Sequence, residues 1–149
     1  MNYEITTRAD AFEQRFSSTA RGARLARLLA VEHLTYWGWP PDHPLVEAVA
    51  LVVGELAANA VAHAGAWAED FEIRLTRDTP SAAVRLEVTD TAGDFERVHV
   101  RCPAATAESG RGLLIVDAIA DAWGVEPHAG GGKTVWAELS SSAVAVRPP

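Results

Sequence analysis

The sequence predicts an α+β two-layer sandwich, with helices on one face of a mixed, mostly antiparallel sheet. Three observations carry this. Residues 44–64 hold a long apolar repeat at helical spacing, in Val46, Val49, Ala50, Val53, Ala57, Ala60, Val61 and Ala64. Residues 71–77 and 83–89 alternate with period two and are joined by Asp78-Thr79-Pro80-Ser81, the pattern of an antiparallel pair. A short helical segment at 113–123 is then followed by a hairpin of 125–128 and 133–139 across Gly130-Gly131-Gly132.

Taken in chain order, a short strand is expected at 11–16. A first helix follows, capped by Ser17, Ser18 or Thr19, running to about Trp37 and closed by Gly38, with Leu25, Leu28 and Leu29 as its apolar face. The turn 39–44 supplies Asp42 as the cap of the second helix, with Pro44 in its first turn and Gly65 as its stop. Leu51, Val52 and Leu56 fall outside the main apolar stripe of that helix. Residues 91–109 lack periodicity and read as a long loop, which in a compact domain is usually functional or disordered. Gly110-Arg111-Gly112 opens the third helix and Gly124 closes it. One domain over residues 1–139 and a flexible tail at 140–149 complete the expectation.

Composition narrows the function. The 149 residues are 48% hydrophobic and 22% charged, an ordinary globular balance. A net charge of −7 disfavours a generic nucleic-acid binder, and no direct nucleic-acid partner is expected. The single cysteine, Cys102, excludes an intramolecular disulfide and a multi-cysteine zinc site. The longest uninterrupted apolar run, 48–53, is too short to span a bilayer, and residues 1–16 carry too many charges for a secretory signal. A cytoplasmic protein without a membrane partner is the expectation. Twelve of the 13 basic residues are arginine, read as a base-composition effect.

Three features could carry chemistry. Glu55, Asn59 and His63 recur every four residues and share one line of the second helix, a polar line within an apolar helix. A carboxylate beside an amide suits Mg²⁺, which takes oxygen ligands and keeps several waters. Asp90 ends a strand and is followed by Thr91-Ala92-Gly93, which by itself is turn chemistry. Gly110-Arg111-Gly112 ahead of a helix offers backbone N–H groups and a helix dipole to an anion. Gly132-Lys133-Thr134 mimics the end of a P-loop, but Pro127 occupies the place of its first glycine and a strand follows instead of a helix.

In order, Glu55-Leu-Ala-Ala-Asn59-Ala-Val-Ala-His63, Val88-Thr-Asp90-Thr-Ala-Gly93, Glu108-Ser-Gly110-Arg-Gly112-Leu and Gly132-Lys-Thr134 resemble the asparagine box, the two glycine boxes and the final box of the GHKL ATPases, the Bergerat fold. Within that superfamily the sequence looks most like the anti-sigma-factor serine-protein kinases and their actinobacterial ATP-binding relatives, over roughly residues 12–139. It departs from their Asp-x-Gly-x-Gly pattern at Ala92. The resemblance implies ATP and Mg²⁺ as cofactors. It assigns Asn59 to Mg²⁺ and Glu55 to the role of general base. Asp90 would bind the adenine amino group, with Gly93 in the same box. Gly110, Arg111 and Gly112 would line the triphosphate, and Thr134 would reach adenine through water. It also makes 94–109 an ATP lid. The implied partners are a sigma factor and an anti-anti-sigma protein phosphorylated on serine. The alternative is a non-catalytic module of the same fold that sequesters a partner. A homodimer is compatible with Trp and Leu residues expected to be exposed around 34–39.

Overall fold

The computed structural model describes residues 6–8, 10–63, 70–78, 82–90, 108–129 and 131–141. Nine elements follow one another: β1 (Thr6–Arg8), β2 (Ala11–Ser17), α1 (Ala20–Tyr36), α2 (Pro44–His63), β3 (Asp70–Asp78), β4 (Ala83–Asp90), α3 (Glu108–Ile119), β5 (Ala122–Pro127) and β6 (Lys133–Ser140). The strands form one sheet in the order β1-β2-β3-β4-β6-β5. The α+β sandwich holds, but every pairing among the described strands is antiparallel, so the expected mixed sheet is not seen. β4 and β5 run parallel to each other across α3, but β6 enters between them antiparallel to both, so no two neighbours in the sheet are parallel.

The period-two pattern sorts the faces. Phe71, Ile73 and Leu75 of β3, Val84, Leu86 and Val88 of β4, and Val135, Ala137 and Leu139 of β6 are buried under the helices. The outer face carries cross-strand ion pairs, Glu13–Arg74, Arg15–Glu72 and Arg85–Glu138. α2 is the central helix and packs against α1, α3 and strands β3, β4 and β6. That placement explains why Val52 and Leu56 are buried although they lie off the main stripe, while Leu51 stays exposed. By length and apolarity α2 would also pass for a membrane-crossing helix, but half of it is buried within the fold, as a core helix is.

α1 corrects the sequence reading. Leu25 and Leu28 are exposed, and the buried face is Gly22, Ala26, Ala30, His33 and Leu34. Small side chains let α1 lie close against α2, a contact that leucines would hold further off. Thr19 caps it, accepting the Gly22 N–H at 3.0 Å, and Gly38 follows its end with a φ of 110° that only glycine adopts without strain. The cap of α2 is His43, whose Nδ1 accepts the Leu45 N–H at 3.0 Å, in place of the expected Asp42. Around 34–39, Leu34 is fully buried and Trp37 and Trp39 pack against the core, leaving Tyr36 as the exposed large side chain. The surface invoked for a homodimer is therefore smaller than expected.

α3 ends at Ile119, four residues before the expected last helical position at 123, and β5 begins at Ala122. The Asp121 N–H already joins the sheet by donating to the Glu138 carbonyl at 2.8 Å. Gly124 is thus a strand residue, not a helix stop. A Cβ there would lie 2.9 Å from the Trp136 ring, so glycine is needed for the ring to lie across β5. Gly65, the turn 79–81, the loop 91–107 with Gly93, and most of the tail lie outside the described residues.

Candidate functional site

The direction of α2 places the polar line. α2 follows the end of α1, where the Trp37 carbonyl accepts from Arg77 near the end of β3. Its 20 residues extend about 30 Å, enough to run the length of the sheet to the edge where β3 begins and β4 ends. There Phe71 pairs in register with Asp90, and Asp90 with Lys133. The second half of α2, with Glu55, Asn59 and His63, thus lies at the Asp90 end of the molecule.

α3 completes this corner. Gly112, in its second turn, is buried against α2. A Cβ on it would stand 2.9 Å from Glu55 Oε2, 3.4 Å from Asn59 Nδ2 and 3.5 Å from Asn59 Oδ1. Glycine is required here by the closeness of approach rather than by backbone angle, and only its absence of a side chain leaves Glu55 and Asn59 their positions. Gly110 and Gly112 both belong to α3, which begins at Glu108, so the Gly-x-Gly segment forms the first turns of the helix instead of preceding it. The first-turn N–H groups and the dipole of α3 are thus carried to the same corner as Glu55 and Asn59. The Arg111 side chain lies outside what is described.

Asp90 is the buried acid of the site, on the helix-facing side of β4 beside Val88. Lys133 Nζ lies 2.8 Å from its Oδ2, with the two side chains only 5% and 7% exposed. The second oxygen, Oδ1, is buried and has no hydrogen-bond partner among the described residues. Such an unpaired acceptor costs free energy comparable with a lost hydrogen bond, so a donor brought to it gains what the fold alone does not supply.

Thr134 is not brought to Asp90. It pairs in register with Thr89, and successive strand residues face opposite sides, so both hydroxyls lie on the outer face. There Thr134 Oγ1 is 2.8 Å from Thr89 Oγ1 and 2.7 Å from His128 Nε2. Lys133, and not the Thr134 expected to reach adenine through water, lies on the face of Asp90. The signal was present: Val135, Ala137 and Leu139 are the apolar alternates of β6, and Lys133 shares their parity. Among the described residues no three His, Cys, Asp or Glu side chains converge as a metal cage. Mg²⁺ commonly needs none, because it shares its shell with water and phosphate oxygens.

No curated protein matches the chain. The family model of the histidine kinase-like ATPase domain matches residues 16–139, from the end of β2 through the body of β6. That span covers most of the chain and contains Glu55, Asn59, Asp90, the start of α3 and Lys133. With a family match of that extent laid over this fold, the chain belongs to the histidine kinase-like ATPase domains.

Proposed function

We propose that this ATP-binding regulatory domain is a serine-protein kinase and anti-sigma factor that binds a sigma factor and phosphorylates a serine of an anti-anti-sigma protein, using Mg²⁺ and ATP. The observation that carries the kinase part is the closeness of Gly112 to both Glu55 and Asn59, which sets an acid and an amide against the start of α3. Two features fit an adenine nucleotide. The orphaned Asp90 Oδ1 suits an amino donor, and the missing side chain at Gly112 brings the first turns of α3 against Glu55 and Asn59. Bound Mg²⁺–ATP supplies the transferable phosphoryl group. Asn59 would hold the metal, and the first-turn N–H groups of α3 would face the phosphate charge. Glu55 would accept the proton of the attacking serine hydroxyl. The nucleotide lid expected at 94–109 belongs to the same proposal.

Transfer of labelled phosphate from ATP to a co-expressed partner protein tests this reading. Glu55→Gln is expected to keep nucleotide binding and to lose most of the transfer. Equal transfer by wild type and Glu55→Gln would remove the base. A second reading, a sequestering module without catalysis, is favoured by Ala92 in the first glycine box. It predicts a partner that binds with nucleotide present and gains no phosphate.

A further inference from the structure

We infer that Lys133 is a positioning residue for base recognition: it occupies one oxygen of Asp90 and leaves the other as a single acceptor for the exocyclic amino group of a purine. The inference rests on the nucleotide reading of this site and adds to it a residue and a specificity.

Geometry supplies the first part. Lys133 and Asp90 are opposite each other in the β4–β6 register, both on the helix-facing side, and the ammonium meets Oδ2 at 2.8 Å while Oδ1 has no partner among the described residues. Other titratable groups carried by elements around this end include Asp70 on β3, Glu55 and His63 on α2, Glu108 and Arg111 at the start of α3, Glu126 on β5 and His128 after it. Among the described residues, Lys133 is the cation within ion-pairing distance of Asp90.

The choice of residue supplies the second part. Lys133 is the sole lysine in a chain with twelve arginines. A guanidinium presents a fork that pairs with both oxygens of a carboxylate, whereas an ammonium is a point charge that can hold one. Arginine at this position would therefore close the acceptor that lysine leaves open. Removing the cation altogether has a different effect. A buried carboxylate without a counter-charge favours its protonated form, which offers an O–H donor where the site needs an acceptor.

The experiment compares binding of ATP and inosine triphosphate, whose ring carries a carbonyl where adenine carries the amino group, in the full-length wild type, Lys133→Arg and Lys133→Met. Wild type should prefer ATP by about tenfold to a hundredfold, the scale of one hydrogen bond to a charged group. Lys133→Arg should keep its melting temperature yet lose ATP affinity to the inosine level, a split that a merely structural lysine would not produce. Lys133→Met should lose the preference or reverse it. A measurement on wild type stands apart from the folding of any variant. With isotope-labelled lysine the protein gives one ammonium resonance, which should shift with ATP and with adenosine but not with inorganic triphosphate. An unchanged preference in both variants, or an ammonium signal indifferent to adenosine while ATP binds, overturns the inference and leaves the nucleotide reading standing. A wild type that binds neither nucleotide overturns both.

Discussion

Strands β4 and β6 carry two charge pairs directly across their ladder, and the two live in opposite environments. Asp90–Lys133 lies under the helices with side chains 7% and 5% exposed, whereas Arg85–Glu138 lies on the outer face at 32% and 48%. The positions are five residues apart on each strand, and that odd number is what sends them to opposite faces. Arg85 also bonds Glu87 at 3.1 Å and covers the Trp136 ring at 4.5 Å, so the outer pair is the more richly connected. Connectivity is nevertheless the weaker term. Exposed pairs have water as an alternative partner, while a buried charge that loses its partner has none. The outer pair belongs to the surface that keeps the sheet soluble, and the inner pair is where charge has been retained at a cost.

The largest effect should therefore come from breaking the inner pair. Lys133→Ala is expected to destabilise the fold by about 3–5 kcal/mol, read by urea denaturation. A loss below about 1 kcal/mol, the range of exposed pairs, would erase the contrast between the two faces. Next in size is Gly124→Ala, whose methyl would press on the Trp136 ring. Overpacking of this kind costs about 1–3 kcal/mol, and the same melt would show it. Arg85→Ala should cost about 1 kcal/mol or less, and its effect should shrink in high salt.

A third buried group sharpens the comparison through pH. His33 is 9% exposed, touches Phe12, Tyr36 and Trp37, and leaves Nε2 without a hydrogen bond among the described residues. Burial, with the Arg77 charge adding to it, lowers its pKa below the usual 6.5. A depressed folded pKa means that the neutral form is the one folding favours. Its contribution is therefore fully present above the unfolded value near 6.5 and is lost as pH falls through the folded value. Melting temperature should drop as the buffer is acidified below that point, and His33→Leu should flatten the slope. A slope unchanged in that variant would assign the acid sensitivity to other groups. The smallest effect on stability is expected from Gly112→Ala. The nearest atom its methyl would meet is the end of the flexible Glu55 side chain, so the fold should barely notice while phosphate transfer is lost.

Much of this was legible in the sequence, and the parts that were not share a cause. Period-two alternation located β3 and β4 to within a residue because each has one wet face and one dry face. Glu55 and Asn59 could be set together by helical spacing alone, since one helix carries both. What failed depended on partners far away in the chain. Leu25 and Leu28 looked like a core face, but α1 is held close to α2 and presents its small residues there. The end of α3 is decided by an Asp121–Glu138 bond between residues that only the sheet brings together. β1 is three residues long and too short for a periodicity to register. Thr134 matches the motif, but the parity of Val135, Ala137 and Leu139 sets Lys133 on the inner face and Thr134 on the outer one.

The central claim is that the corner formed by Asp90, α2 and the start of α3 is an adenine-nucleotide site, and titration calorimetry with Mg²⁺ and ATP tests it most directly. Wild type should bind with a Kd on the order of 10–100 μM, an affinity suited to a small open site. Asp90→Asn should weaken binding and Asn59→Ala should make it indifferent to Mg²⁺. Absence of heat with every adenine nucleotide up to millimolar concentration, in protein shown to be folded, would leave the family fold intact and contradict the site.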